Sequence, residues 1–235
     1  MRSSLTYWFP RIRNLGIPVP KTAWVEVDEL ELIRGIENPS VLMSYKSTLV
    51  YVARKVGFPC FMRTDHFSGK HNYLSTCYVE RERDIIPHLR NLVEESEIHG
   101  LPIKAIVFRE FIELDWRFKA FNGLPIAPER RYFIRDGEVV CHHPYWPEDA
   151  IKFWRSTPEP DGWREMLREM NRETLSEIRL LKRYARKVAS VLDGYWSVDF
   201  AKARDGTWYL IDMAEGEYSW HPESCPYSKT VSLPV

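Results

Sequence analysis

The sequence predicts an α+β protein in which helices are interspersed with antiparallel hairpins. Three observations carry this reading. The dipeptides Asn122-Gly123, Asp136-Gly137 and Asp205-Gly206 stand between short runs rich in aromatic and β-branched residues, the strongest short-range hairpin signal. Apolar residues recur at helical spacing before these hairpins, from about Ser47 to Val56, and between them, from Trp163 to Leu192. No internal repeat, low-complexity tract or Gly/Ser linker interrupts the chain, so any two lobes are packed together rather than tethered.

In order along the chain, the opening stretch to Lys21 is punctuated by Pro10, Gly16, Pro18 and Pro20, and Thr22–Val27 reads as a short strand. Asp28 caps a helix, with Glu31 completing an acidic variant of the capping box. A second helix, near Ser47–Val56, carries the stripe Leu49, Val50, Val52, Ala53 and Val56 and stops at Gly57. Gly57-Phe58-Pro59 then delivers the chain into a buried strand, Cys60–Arg63. The polar glycine-containing loop Thr64–Lys70 leads to another strand around Tyr73–Val79. Asp84 caps a helix over Ile85–Glu97, and Ala105–Ile112 is a strand of mixed character. Residues 116–142 read as strands broken at the first two hairpin dipeptides. Leu167, Met170, Thr174, Ile178, Leu181, Ala185, Val188 and Leu192 mark one long helix or two short ones, with Asp193-Gly194 as the stop.

Composition removes several function classes. The 235 residues include 33 basic and 33 acidic side chains, so global charge gives no case for nucleic acid or an anionic membrane. No run reaches the roughly 18 apolar residues of a membrane helix, and Arg2, Arg11, Arg13 and two early prolines exclude a signal-peptide core. A cytoplasmic protein is expected. Cys60, Cys77, Cys141 and Cys225 form no C-x-x-C pair, which favours free buried thiols over a disulfide framework or a zinc knuckle.

Asp199 and Asp212 are the leading candidates for chemistry. Counting outward from a two-residue Asp205-Gly206 loop pairs Arg204 with Thr207 and, five steps further, Asp199 with Asp212. Opposed like charges on an antiparallel pair are destabilising, so something positive, with a divalent metal as the first candidate, is expected between them. A bulge would instead shift the register and leave both carboxylates solvated.

Arg63 and Lys70 bracket the Thr64–Lys70 loop, whose backbone could form an anion-binding nest with charge at both ends. The alternative is an ordinary polar loop. Arg109-Glu110-Phe111-Ile112-Glu113 joins an apolar strand to the hairpin-rich second half, where main-chain groups could read the edge of a planar ligand. It also fits a half-exposed strand. Arg131, in Glu129-Arg130-Arg131, could meet a phosphate or pair with Glu129 on a solvated face. Cys141-His142-His143 and His221-x-x-x-Cys225 supply zinc-type ligands, although adjacent strand residues point to opposite faces, which argues against His142 and His143 sharing one ion. No Gly-x-Ser-x-Gly elbow is present.

Taken together and in order, these pieces resemble the ATP-grasp superfamily. Leu15–Thr22 looks like the family's opening segment. Gly57–Arg63 matches its phosphate-binding strand with Arg63 in place of the usual lysine, residues 109 to 113 match its adenine hinge, and Asp199 and Asp212 match its acidic metal positions. Within that superfamily the sequence is similar to the R-two-K clade, which carries that arginine and a Glu-x-Arg strand, here Glu129-Arg130-Arg131. Asp136–Val140, Pro144-Tyr145-Trp146 and Asp212–Ser219 fit the same branch. Where many members have Asn, two residues past the second metal acid, this chain has Ala214, and Glu215 is the implied additional ligand.

The resemblance implies two α+β lobes with antiparallel sheets clasping a nucleotide: residues 1–113, with a shortened opening segment, and residues 114–235, carrying the metal hairpin. It implies ATP and Mg²⁺, with metal on Asp199, Asp212 and Glu215. Glu110, Phe111, Ile112, Glu113 and Glu129 are implied at the nucleotide, and Arg63, Lys70 and Arg131 at both nucleotide and transferring phosphate. The implied activity is ligation of a carboxylate to an amine or thiol through an acyl phosphate, with release of ADP. The acceptor would be an unidentified small molecule or protein. The alternative is a nucleotide-binding assembly factor without ligase activity, as in the related eukaryotic cell-division-cycle family that helps assemble a translation initiation factor.

Overall fold

Two four-stranded antiparallel sheets, seen in a computed structural model that describes residues 2–153 and 157–228, organise the chain. Helix α1 (Leu5–Ile12) precedes β1 (Thr22–Glu26), α2 (Glu29–Glu37), α3 (Pro39–Ser44) and α4 (Lys46–Arg54). Next come β2 (Cys60–Thr64), β3 (Tyr78–Val79), α5 (Ile85–Ile98) and β4 (Ala105–Glu110). The hairpins β5 (Phe118–Ala120)/β6 (Leu124–Ile126) and β7 (Glu129–Arg135)/β8 (Glu138–Pro144) follow. Helices α6 (Trp163–Met170) and α7 (Leu175–Ala189) lead to β9 (Tyr195–Lys202) and β10 (Trp208–Glu215). The first sheet has the order β1-β4-β2-β3, the second β10-β9-β7-β8, and β5 pairs with β6 alone.

Strand alternation sorts β2 and β4 into two faces. Cys60, Met62, Ile106 and Phe108 face helices α2–α5 and share a core with Leu32, Leu42, Leu49, Leu89 and Leu92. Phe61, Arg63 and Arg109 lie on the opposite face, with Phe61 paired to Arg109. The second sheet buries Tyr132, Ile134, Trp196, Val198, Phe200 and Leu210 with Leu181, Ala185 and Val188 of α7. Arg130 points into this layer, where its Nε donates to Glu177 at 2.7 Å and its Nη2 to the Met170 and Arg172 carbonyls at 3.0 and 3.1 Å.

The structure departs from the sequence expectation in four places. The opening stretch contains α1 despite Pro10, because Leu5, Trp8, Phe9 and Ile12 make one buried stripe in the core of the second sheet. Asp28 accepts from the Glu31 N–H at 3.1 Å, but the Glu31 carboxylate accepts from Tyr45 Oη at 2.5 Å instead of closing a capping box. Helix α3, unmarked by any long apolar pattern, starts at Pro39 behind the Asn38 cap. The strand expected around Tyr73–Val79 shrinks to two residues, since a turn of 3-10 helix at Lys70–Asn72 occupies the approach. Of the two alternatives for the stretch after Trp163, one long helix or two short ones, the structure has two helices, with Thr174 capping the second through the Glu177 N–H at 3.2 Å.

Candidate functional site

The site begins with a row of side chains at one level across the second sheet. Asp212 opposes Asp199, Asp199 opposes Arg131, and Arg131 opposes His143. The pairing of the two aspartates arises by a route the sequence did not reveal. The hairpin loop has three residues, with Ala203 N donating to Thr207 O at 2.8 Å and Gly206 at φ +88°, a loop that ends in a left-handed glycine. It pairs Trp208 with Lys202, one step off the expected register, and a bulge between Leu210 and Asp212 restores the step. Without that bulge Ile211 would oppose Asp199. The bulged residue has a partner of its own, because its carbonyl accepts from Arg109 Nη1.

Both aspartates meet arginine. Arg131 Nε and Nη2 donate to the two carboxylate oxygens of Asp199 at 2.8 and 2.7 Å, the planar fork that a lysine cannot reproduce. From the first sheet, Arg63 Nη1 reaches Asp212 Oδ1 at 2.8 Å. The positive charge expected between the aspartates is therefore supplied from their flanks by two guanidinium groups. Asp199 is buried, whereas the Asp212 side chain is 35% exposed toward the space between the sheets.

That space is a cavity of about 490 Å³ lined by Arg63, Ser68, Lys70, Arg109, Glu129 and Asp212, by the run Glu110–Leu114, and by apolar residues including Phe61, Tyr78, Leu124 and Trp146. Its size suits a nucleotide-sized ligand. The lining run is pinned at both ends, since Glu110 N donates to Lys21 O at 2.8 Å and Glu113 O accepts from Arg204 N at 2.9 Å. Phe111 packs edge-on against Tyr78. Lys70 Nζ donates to Tyr145 Oη at 2.9 Å, stands 3.8 Å from Glu129, and lies over the Tyr145 and Trp146 rings. Tyr145 is also covered by the Arg131 guanidinium, 4.6 Å from its ring centre.

Burial and close charges perturb four titratable groups in this cluster. Burial, reinforced by Arg63, pushes Arg109 down from the usual arginine value. Its Nη2 is buried without a hydrogen-bond partner among the described residues, an arrangement that costs stability unless an acceptor arrives. Burial pushes the Glu129 carboxyl up to about 7, with the Asp199 and Asp212 charges adding to the rise. For Lys70 burial acts against the charge, but Glu129 and Tyr145 outweigh it and the ammonium is held up. Asp212 is likewise held down, because Arg63 and Arg109 outweigh burial.

Other candidates are placed differently. Within Thr64–Lys70, the N–H groups of Thr64 through Phe67 are already occupied: Thr64 donates to Phe67 O, Asp65 to Ala105 O, and His66 and Phe67 to Thr64 Oγ1. Any nest is confined to Ser68–Lys70. Asp65 is an internal anchor, accepting from Ser4 Oγ at 2.6 Å and from the Lys104 and Ala105 N–H groups at 3.0 and 3.2 Å. Glu215 is not brought to the aspartate pair. It opposes the core residue Trp196, on the face away from Asp212, and accepts from Ser3 Oγ at 3.0 Å. Arg131 pairs with Asp199 rather than Glu129. His142 and His143 do diverge, the first to Glu173 at 3.2 Å and the second to the Arg131 face. Arg109 was read in the sequence only as the first residue of the 109–113 hinge; its buried side chain facing the cavity was not anticipated.

Comparison with known proteins follows the same line. A family model described as ATP-grasp domain, R2K clade family 3, matches residues 34–232, and the chain belongs to that family. Its α+β architecture is the ATP-grasp fold. The structure of Cdc123 from Schizosaccharomyces pombe is 11% identical with a TM-score of 0.58, over 91% of this chain and 83% of that one. N5-carboxyaminoimidazole synthase from Aspergillus clavatus, in complex with ADP and 5-aminoimidazole ribonucleotide, is 13% identical with a TM-score of 0.51, over 90% and 44%. The ATP-grasp ligase PsnB, complexed with a minimal precursor, is 14% identical with a TM-score of 0.46, over 91% and 52%, so the chain spans about half the length of that protein. At these identities the likeness is one of fold. No curated protein sequence matches the chain.

Proposed function

We propose that this protein is an ATP- and Mg²⁺-dependent ATP-grasp enzyme, a ligase that joins a carboxylate to an amine or thiol and releases ADP. The observation that carries the reading is the unpartnered Arg109 Nη2, buried at a cavity that also presents Arg63, Lys70 and the half-open Asp212. A polyphosphate supplies the missing acceptor. In the run 110–112, Glu110 ends β4 opposite Cys60 with its N–H taken by Lys21 O, while Phe111 and Ile112 lie outside the strand ladder and offer backbone groups to an adenine edge; Glu113 closes the boundary between proposed lobes 1–113 and 114–235.

The donor set fits Mg²⁺, which takes one or two carboxylates and completes its octahedron with water and phosphate oxygens. Asp212 and Asp199 would hold it. Bound there, it would supply positive charge that offsets the charge of the transition state. Arg63, Lys70, Arg109 and Arg131 would orient the phosphates and add to that offset, and the apolar walls would exclude water. A substrate carboxylate oxygen attacks the γ-phosphorus as the bond to ADP breaks, and the amine or thiol then displaces phosphate from the acyl phosphate. Positioning and electrostatics suffice for such transfer, so no protein nucleophile is required.

The test is isotope exchange between ADP and ATP in the presence of pooled carboxylates, followed by ADP release when amines and thiols are added. Exchange that depends on carboxylate and Mg²⁺ supports the ligase. A second reading, a nucleotide-dependent assembly factor, is favoured by one observation: the chain covers 83% of Cdc123 but 44% of the synthase. Mg-ATP binding with no exchange under any acceptor pool would move that reading ahead. No helix among the described residues is long and apolar enough to cross a membrane, and a cytoplasmic location is proposed with either reading.

A further inference from the structure

We propose that Cys141, His221 and Cys225 form a binding site for zinc, separate from the nucleotide cavity, that clips the segment following β10 onto the edge strand β8. One ligand atom from each residue lies within 4.8 Å of the others, and Cys141 Sγ is 3.7 Å from His221 Nδ1. Two sulfurs and an imidazole form a soft donor set that selects zinc over the hard ions bound by oxygen. Because all three residues are half-buried, water can complete a tetrahedral shell.

The surrounding contacts orient the imidazole as a ligand. His221 Nε2 lies 2.7 Å from Tyr195 Oη. A proton on Nε2 donated to that oxygen leaves the Nδ1 lone pair facing Cys141, the outer-shell arrangement that fixes a metal-binding tautomer. The ring stacks on Phe133, with centroids 3.6 Å apart. Coordination forms two Zn–S bonds and one Zn–N bond and releases both thiol protons to solvent.

The topology gives the site a role. β8 is the outer strand of the second sheet, and Cys141 stands on it two residues from His143. The two remaining ligands come from the chain just after β10. Trp220, next to His221, packs edge-on against His143 at 5.1 Å between ring centres, and His143 opposes Arg131. A metal clip would thus seat the tail beside the end of the aspartate–arginine row. It does not depend on the ligase reading.

The test uses the full-length, reduced protein incubated with Zn²⁺, desalted and analysed for metal, with Co²⁺ as a spectroscopic substitute. The expected result is one zinc per chain and cobalt–thiolate absorption, both lost in Cys141→Ser, Cys225→Ser and His221→Ala. Zinc should raise the melting temperature of wild type and leave the three variants unmoved. His142→Ala and Asp212→Asn should retain the metal, which separates this site from the opposite strand face and from the aspartate pair. If Cys141→Ser fails to fold, the two tail variants decide alone. Zinc no higher than buffer background in wild type, a Cys141–Cys225 disulfide in the purified protein, or metal content unchanged in the tail variants would overturn the proposal.

Discussion

Asp199 and Asp212 face each other across two strands, yet replacing them should have different consequences for stability. Asp199 and Arg131 have side-chain exposures of 6% and 13% and share two hydrogen bonds at 2.8 and 2.7 Å. Removing one partner of a buried ion pair costs about 3–5 kcal/mol because the remaining charge is left without compensation. Asn keeps one acceptor oxygen, so Asp199→Asn should fall at the lower end, about 3 kcal/mol. Asp212 is 35% exposed and its own charge is partly hydrated, while the 6%-exposed Arg63 keeps its hydrogen bond to the Thr64 carbonyl and can still donate to the Asn oxygen, which limits Asp212→Asn to about 1 kcal/mol or less. In a chain of this length each kcal/mol moves the melting temperature by about 2–4 °C. The expected drops are therefore about 6–12 °C and at most about 2–4 °C. Urea unfolding without nucleotide or metal measures both, with an unchanged m-value showing that the transition is the same. Equal losses in the two variants would refute the reasoning, and so would a double-mutant cycle with Arg131→Met that finds no coupling between Arg131 and Asp199.

Three further outcomes follow from the same geometry. Arg131→Lys keeps a cation but loses the fork, so transfer of the γ-phosphate should fall roughly tenfold or more, about 1.4 kcal/mol, while ADP affinity by titration stays close to wild type; unaltered turnover would remove Arg131 from the mechanism. For Asp65, hydrogen bonds from His66 and Ser4 outweigh burial and hold the carboxyl near 2 instead of 3.8. Its folded value is depressed, so its stabilisation of about 2–3 kcal/mol is full above the unfolded value and fades as pH falls from about 4 toward 2; Asp65→Asn should flatten that limb of an acid denaturation curve. Backbone reading of the base at residues 110–112 predicts ATP preferred over GTP in calorimetry with little change in preference on Phe111→Ala, and indistinguishable affinities would exclude the hinge assignment.

Much of this site was legible in the sequence, where local chemistry settles conformation. Asp136-Gly137 forms the expected two-residue turn, with φ of +49° and +90°, because few residue pairs accept positive φ twice. Arg63, the 110–113 run, the Glu129–Arg131 strand and the two aspartates, singled out in the sequence, lie on elements that the structure brings to one cavity and one row across the second sheet. Long-range geometry was not legible. Asp205-Gly206 belongs to a three-residue loop, and the opposed aspartates depend on a bulge at Ile211 whose carbonyl is held by Arg109 from another sheet. Helix α1 was hidden because Pro10 argues against a helix locally, while tertiary burial of Trp8 and Phe9 favours one. Glu215 follows Asp212 closely in sequence, but period-two alternation turns it to the other face. The arginine partners of both aspartates were likewise invisible.

The most direct test of the central claim is a calorimetric titration of Mg-ATP into wild type and Arg109→Met. The guanidinium of Arg109 is buried, its charge is opposed by burial and Arg63, and one of its nitrogens has no partner among the described residues. If that nitrogen awaits a phosphate, wild type should bind one ATP in a Mg²⁺-dependent manner, and Arg109→Met should bind at least roughly tenfold more weakly, about 1.4 kcal/mol, while losing no more than about 1 kcal/mol of unfolding free energy. Absence of Mg-ATP binding in the folded wild type, or equal affinity in the two proteins, would contradict the account.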